Sequence, residues 1–589
     1  MLAGVVATTA CLAVVATTPR EAFWIVDCGH KALVAQRLLE TGFSDLGFDY
    51  PAEMLDPEGQ LFPMGDWAVR RGEGFVSIFP AAYPALAAPF LGWLGPRGLR
   101  VPAALGVGAC AWLFALWLAP ALGRRWATAG GVTLGLATPL FFYGVTVWEH
   151  SLTVALSLAS WVVLSRPSVR RALAAGVLIG AACWLREELV LMAVSLACAS
   201  LLCWRRLSIA VALAVGAAVP IAGLLAFNAH VYGDPLGPHF TVNLAGGAGA
   251  GGLDAAARQH LARQLHSLLA GLGESPTEAK ALAWTTLGVF AIGWAAGRRR
   301  AGLRALALPN SARLRLAARA LRALPWLLSA VGLGAWLLGF SSVLRAESPL
   351  SELVLYNGLL VQMPLVAASG LGLARVYRDP ATAPLRVGAV AGLLFLPLAI
   401  ASGLALALAF GFGVHWGPRQ ILPGLPALGA LFLVAARSDP SVPGAAFALP
   451  RVATVSLIAA GVLSSAQATW LLAQQKAEGA FLQNRILARP ADVVVTTNPL
   501  LAQHLAPLWH RKQMLLVQTE AQLTWLGGRL ANHEIREFLL LLPPSSPIVA
   551  GIPGIRCRPA GQHRGSRVHY HDLDLQECEV TSRTTTREG

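Results

Sequence analysis

Apolar runs long enough to cross a bilayer recur along most of the chain. They fall near 101–122, 127–146, 150–165, 172–185, 187–204, 207–228, 281–297, 324–343, 353–374, 387–410, 420–436 and 452–472. In hydrocarbon every backbone N–H and C=O must find its partner within the chain, which leaves helices or a closed barrel, and runs of this length select helices. A further run, 2–16, is short for a span and reads as a first helix slightly truncated at its start; it lacks the basic lead and small-residue cleavage site of a signal peptide. The expectation is therefore an all-α polytopic protein with about thirteen transmembrane helices. Only 13% of the residues are charged, against about 25% in soluble domains, so the chain is an integral membrane protein.

Charge asymmetry orients it. Arg124-Arg125, Arg166 with Arg170-Arg171, Arg205-Arg206, the acid-free stretch 298–322, and Arg375, Arg378 and Arg386 fall on one side. The first long polar interval instead holds Glu21, Asp27, Glu40, Asp45, Asp49, Glu53, Asp56, Glu58, Asp66 and Glu73 against few bases. By the positive-inside rule that interval lies outside, the N-terminus inside, and an odd span count puts the C-terminus outside. The formal net charge of +15 sits mainly in short loops, as contacts to anionic membrane lipids require, and no aromatic-interleaved basic patch suggests nucleic acid.

The expected division is a membrane domain, 1–472, with outer loops 19–79 and 232–280, followed by a soluble domain, 485–589. In that last region 493–495, 514–517 and 538–542 are short buried-strand patterns between helical ones, as in a small extracytoplasmic α/β domain. Cys557 and Cys578 can pair there if it faces an oxidising compartment, whereas Cys110, Cys183, Cys198 and Cys203 lie in apolar runs. The segment 79–94 is interrupted by Pro80, Pro84 and Pro89 and reads as partly inserted or re-entrant. After Tyr232 the sequence 233–239 is a turn, 246–252 is Gly-rich, and 253–272 has a helical pattern.

The chemistry-bearing candidates lie at the outer membrane edge: Asp27, His30, Lys31, Tyr83, Glu149, His150, Arg186, Glu187, Glu188, His239, His415 and Arg419. An aspartate where a helix reaches water can act as a base. The apolar spacing of 31–40 suits an interfacial helix holding Asp27 at fixed depth, with Lys31, Gln36, Arg37 and Glu40 on its polar side. Alone, Asp27 reads equally well as a solvated loop acid and Arg419 as a lipid-headgroup anchor, while the lesser reading of Glu149 is a turn acid in water, since a carboxylate at the membrane edge is costly unless paired or used. Arg419 also offers a fork for a phosphate. No spacing demands a metal, although the acids and histidines are able to hold a divalent ion.

The order of these features resembles the polytopic membrane glycosyltransferases of the GT-C fold, the protein O-mannosyltransferase and aminoarabinose-transferase-like superfamily. The matching residues are Asp27 ahead of the interfacial helix, then Phe79-Pro80-Ala81-Ala82-Tyr83-Pro84-Ala85-Leu86. Thr138-Pro139-Leu140-Phe141-Phe142-Tyr143 with Glu149 follows, and then Gly417-Pro418-Arg419-Gln420-Ile421-Leu422-Pro423. The chain departs from the pattern in having Asp27-Cys28 where many relatives carry Asp-Glu, and Pro80-Ala81 where they carry Pro-Pro. The resemblance covers roughly 1–472. It implies transfer of a sugar from a polyprenyl-phosphate-linked donor to an extracytoplasmic acceptor (a cell-envelope glycan, lipid or protein) in the inner membrane of a bacterium. It makes Asp27 the base, Glu149 a second acid or acceptor-positioning residue, and Arg419 or Arg186 the phosphate partner, with no required cofactor. His30, Lys31, Tyr83, His150, Glu187, His239 and His415 would line the substrate cavity. The alternatives are a transporter or flippase, whose ionisable groups belong at the membrane midplane in repeat-related helices, and a non-catalytic membrane protein retaining the fold.

Overall fold

The computed structural model describes residues 1–23, 26–72, 74–245, 359–410, 419–437, 451–544, 554–563 and 573–581, with isolated positions 259, 262, 265, 284, 287 and 288. In chain order the described helices and strands begin with α1 (Leu2–Thr17), α2 (Val26–Glu40), β1 (Gly47–Phe48), β2 (Ala68–Arg71), β3 (Gly74–Ser77) and α3 (Ala82–Leu94). There follow α4 (Val101–Leu122), α5 (Arg124–Leu136), α6 (Leu140–Gly144), α7 (His150–Val163), α8 (Val169–Ala182), α9 (Val190–Trp204), α10 (Leu207–Tyr232) and α11 (Pro238–Ala245). After these come α12 (Leu359–Gln362), α13 (Val366–Arg378), α14 (Arg386–Phe410), α15 (Leu425–Ala436) and α16 (Arg451–Leu487). The C-terminal elements are β4 (Val493–Thr496), α17 (Pro499–His504), β5 (Gln513–Leu516), α18 (Glu520–Asn532), β6 (Glu537–Leu542), β7 (Ile555–His563) and β8 (Leu573–Val580).

Among the described residues six stretches are helical, long and apolar enough to cross a membrane: Ala82–Leu122, Glu187–Trp204, Leu207–Tyr232, Pro380–Ser402, Arg419–Ala436 and Arg451–Leu487. Leu2–Thr17 and His150–Val163 are shorter apolar helices. The expected spans 281–297 and 324–343, the arginine-rich stretch 298–322, the Gly-rich 246–252 and most of 253–272 lie outside the described residues.

Two expected spans are broken where proline forbids helix. The run 127–146 divides into α5 and α6 at Thr138-Pro139, because the residue before proline is pushed out of the α region. Thr138 stabilises the break: its hydroxyl donates to the Leu134 carbonyl (2.7 Å) and accepts from the Leu140 N–H (3.3 Å). The run 353–374 likewise breaks at Met363-Pro364 between α12 and α13. The run 452–472 errs the other way. Nothing interrupts helix before Arg489-Pro490, so α16 continues to Leu487, a length of about 55 Å. The segment 79–94 is more regular than its prolines suggested. Pro84 sits in the first turn of α3, where its missing N–H costs nothing, and Pro89 is accommodated inside the helix.

The chain forms two compact units. One comprises Met1–Val14 and Arg100–Trp470, the other Val15–Leu99 and Leu471–Gly589. This division differs from the expected 1–472 and 485–589, and the core of the second unit explains why. Ala52, Leu55 and Leu61 pack with Val493, Val495, Leu515, Leu526, Leu540 and Cys578 in one buried cluster. The segment holding those first three residues is shaped by Asp56, whose carboxylate accepts from the Tyr50 hydroxyl (2.8 Å) and from the backbone N–H groups of Gln60 (2.9 Å) and Leu61 (2.7 Å). Leu61 then accepts from the Leu516 N–H at 2.8 Å, and Trp509 donates to the Asp49 carbonyl at 2.7 Å. The polar interval is thus part of the C-terminal domain's fold.

That domain carries the anticipated strands. Its five-stranded sheet has the order β5-β4-β6-β8-β7, with β4 parallel to β5 and β6, and β8 antiparallel to both β6 and β7. Cys557 and Cys578 face each other across β7 and β8 and are disulfide-bonded. A second, three-stranded sheet, β1-β3-β2, precedes α3 in the same unit.

In the first unit α8 and α10 approach closely enough that small residues are obligatory. A Cβ on Gly176 would run into the Leu213 carbonyl, and one on Gly216 into that of Leu173. This is the small-residue packing expected between helices in lipid.

Candidate functional site

The second unit holds Asp27, His30, Lys31 and Tyr83. Asp27 is not a loop acid: α2 begins at Val26, so Asp27 occupies its first turn, where a negative charge suits the helix N-terminus. It is partly exposed. Leu33, Val34 and Leu38 are buried as the spacing predicted. Lys31 departs from the expected polar face. It is 2% exposed, and its ammonium lies 5.7 Å from the ring centroid of Phe79 and 5.9 Å from that of Tyr83. The cation is favourable over those π faces, and the aliphatic stem fills the space between them. His30 is fully buried. Its ring lies edge-on to Phe48 (5.6 Å) and Phe79 (5.3 Å), with Nδ1 3.4 Å from the Ser77 hydroxyl. Tyr83 donates its hydroxyl to the Leu99 carbonyl at 2.8 Å. His30 and Tyr83, expected to line a cavity, are both buried in the second unit, where α2 packs on α3 and His30 meets Ser77 of β3.

The first unit gathers Glu149, His150, Arg186, Glu187, Glu188 and His239 into one network. Each stands at a helix end. Glu149 precedes α7, Arg186 follows α8, Glu187 and Glu188 form the 3₁₀ turn Glu187–Leu189 that leads into α9, and His239 opens α11 just beyond α10. The start of α7 is docked on α4, with the Ser151 hydroxyl donating to the Ala103 carbonyl (2.8 Å) and the Cys110 thiol to the Ser151 carbonyl (3.1 Å).

Arg186 is the hub. Its Nη1 donates to Glu149 Oε1 (3.2 Å) and to His150 Nε2 (2.9 Å), and its Nε donates to Glu188 Oε1 (2.6 Å), which also accepts from Nη2. Four of the five guanidinium donors are thereby committed to protein acceptors. Arg186 therefore organises acids and does not present an open fork to a phosphate. Burial acts against its charge, but Glu188 and Glu149 outweigh that and hold its pKa above the ordinary value. Glu149 is 3% exposed, so its carboxylate depends on this pairing. His239 Nδ1 lies 3.1 Å from Glu187 Oε2. Burial works against the protonated ring there too, but Glu187 outweighs it and raises its pKa.

An aromatic wall backs the cluster. Tyr143 and Trp148 are stacked at 5.2 Å and flank His150 at 4.7 and 5.2 Å. The Arg419 guanidinium lies 6.0 Å from the Trp148 ring. Arg419 opens the 3₁₀ turn Arg419–Gly424, and His415 lies outside the described residues. The aromatic support was not foreseen; its signal is the density of Phe141, Phe142, Tyr143 and Trp148 directly ahead of Glu149. Among the described residues no group of three or more His, Cys, Asp or Glu is arranged to hold a metal.

No family model matches the chain, and no curated protein matches it. Among solved structures it is similar to ArnT from Cupriavidus metallidurans in the apo state, with 13% identity and a TM-score of 0.42 over 97% of both chains. It is similar to the same protein bound to undecaprenyl phosphate, with 15% identity and a TM-score of 0.40 over 98% of both. The Archaeoglobus fulgidus oligosaccharyltransferase tethered with an acceptor peptide is also similar, with 10% identity and a TM-score of 0.45 over 91% of this chain and 68% of that one.

Proposed function

We propose that the protein is a membrane glycosyltransferase that moves a sugar from a polyprenyl-phosphate-linked donor to a hydroxyl of an extracytoplasmic glycan, lipid or protein. It would act in a bacterial inner membrane with the N-terminus inside and the C-terminal domain outside. One observation carries the choice over a transporter: the ionic cluster is built wholly from helix ends. The N-terminal ends of α7 and α9 and the C-terminal ends of α8 and α10 lie on one side of an antiparallel series, and that is where Glu149, Arg186, Glu187 and His239 stand. A transport site needs its ionisable groups at mid-depth in broken helices.

In this reading the reaction is an inverting displacement. Asp27, partly exposed in the first turn of α2, takes the proton of the acceptor hydroxyl as that oxygen attacks the anomeric carbon. The bond to the donor phosphate breaks, and the phosphate leaves with the electron pair. Glu149, held by Arg186, positions the acceptor, and Arg419 stabilises the departing phosphate. No metal is required by this scheme.

The test is transfer of radiolabel from polyprenyl-phosphate sugars in membranes, set against uptake of the same sugars into vesicles. Transfer without uptake is expected. In purified protein Asp27→Asn should lower turnover about a hundredfold or more while donor binding persists, since a positioned base acts only in the chemical step. Wild-type transfer by a well-folded Asp27→Asn protein would end the base assignment, and uptake without transfer would end the proposal.

A further inference from the structure

The two histidines of the Arg186 cluster face partners of opposite charge. His150 Nε2 lies 2.9 Å from Arg186 Nη1. A guanidinium only donates, so Nε2 must accept, and a neutral imidazole that accepts there carries its proton on Nδ1. His239 Nδ1, by contrast, lies 3.1 Å from the Glu187 carboxylate, which only accepts. We infer that the cluster fixes His150 as the neutral Nδ1–H ring and His239 as the cation, so that His150 positions Arg186 against Glu149 and His239 positions Glu187, which confines the intact network to a bounded pH window.

The neighbours of each ring support this. Around His150 stand Glu149 on its own segment, Arg186 with Glu188 behind it, Tyr143 from α6, and Arg419 over Trp148. The contacts from α4 at this point are the Ala103 carbonyl and the neutral Cys110 thiol. Protonating His150 at Nε2 would set a second donor and a second positive charge against Arg186. The guanidinium would have to leave, and Glu149 would lose its partner. Around His239 stand Glu187, Glu188 and Arg186. The preceding turn and the end of α10 add Asp234, Tyr232 and His230, and α14, which packs on α11, has no ionisable residue beyond its first, Arg386. Since the pKa of His239 is raised, its charged pair with Glu187 is complete at low pH and lost as pH rises through the folded value. Acid thus attacks the His150 contact and alkali the His239 contact.

Magic-angle-spinning spectra of ¹⁵N-histidine-labelled full-length protein in liposomes test the assignment. At pH 7 one signal should be a neutral Nδ1-protonated ring that disappears in His150→Gln. The signal lost in His239→Gln should titrate at a higher pH than the His150 signal. A His150 imidazolium or Nε2-protonated ring at pH 7, or a His239 midpoint at or below that of His150, overturns the inference. So does a wild-type spectrum with no neutral Nδ1-protonated ring, which needs no variant to fold. A second readout rests on the proposed transfer activity. Its pH profile should be bell-shaped, and His150→Gln, whose amide still accepts from Arg186 but cannot gain a proton, should lose the acid limb. The assigned ring states with no transfer by any preparation would refute the transferase reading alone, whereas transfer with an unshifted acid limb would refute the positioning role of His150.

Discussion

Replacing Arg186 with Met should be among the most damaging single changes in the first unit. The Arg186 side chain is 14% exposed and that of Glu149 4%, so the pair is largely removed from water. Methionine has similar length and leaves little void, which isolates the electrostatic loss from a packing loss. Removing one partner of such a pair leaves a buried charge uncompensated, at a cost of about 3–5 kcal/mol. Glu188, 21% exposed, can turn toward water and adds little. His150 loses a donor to Nε2, of order 1 kcal/mol. If the cost lies in the stranded Glu149 charge, Glu149→Gln in the Arg186→Met background should return roughly 2 kcal/mol or more, although the same change in the wild type is destabilising. The double-mutant cycle should therefore give a coupling of about 2–3 kcal/mol. Equilibrium unfolding by steric trapping in bicelles measures all four proteins at one pH. Arg186→Met within 1 kcal/mol of wild type, or an additive cycle, would refute the reasoning that Glu149 depends on Arg186.

Three further outcomes are expected of other parts of the fold. Changing Cys557 and Cys578 together to Ala should destabilise the second unit by about 3 kcal/mol, because the bond closes a loop with a sequence separation of 21; unchanged thermal unfolding of that unit with and without reductant would count against it. Burial presses the pKa of His504 down to about 4, so the ring is neutral when folded. Stability should be full above its unfolded pKa of about 6.5 and fall by up to about 3 kcal/mol as pH drops toward 4, and His504→Gln should flatten that slope in an acid unfolding series. Gly176→Val should separate α8 from α10, since its branches would strike the Leu213 carbonyl; loss of the folded detergent-solubilised peak is expected, and wild-type stability would mean the helices are not so close.

Much of the membrane architecture was legible because length and apolarity are local properties. The boundaries near 101, 150, 207 and 386 fall within a residue of the expected ones. The failures have a common cause, which is that one residue redirected the backbone. Pro139 and Pro364 broke spans that hydropathy alone kept whole, and the absence of any breaker before Pro490 let α16 run on. The unit division was not legible at all. It depends on Ala52, Leu55 and Leu61 joining a core built some 430 or more residues later, and nothing in 19–79 taken alone marks those side chains as belonging to a distant sheet. In the candidate site, the positions of Glu149, Arg186, Glu187, Glu188 and His239 at helix ends were readable from the spans, so their gathering was expected. Their roles were not. Whether an arginine meets a ligand or its own neighbours is decided by side-chain geometry at the 3 Å scale, and Arg186 turned out to be spent on Glu149, Glu188 and His150.

That expenditure separates two tasks a single cation cannot perform together. Three carboxylates, Glu149, Glu187 and Glu188, face Arg186 and His239, with His150 held neutral by its bond to Arg186. The network is therefore short of positive charge, and more so as His239 loses its proton. Such a network favours hydroxyl donors and repels an anion, which suits the acceptor side of a transfer reaction and not the phosphate side. A leaving phosphate needs a cation outside that balance. In the proposed transfer Arg419, whose guanidinium lies 6.0 Å from the Trp148 ring, is the cation assigned to that task. The aromatic wall then has a physical purpose. Tyr143 and Trp148 flank His150, and the Arg419 guanidinium lies against the Trp148 ring, so one aromatic pair supports both the acidic network and the arginine that the proposed transfer assigns to the phosphate.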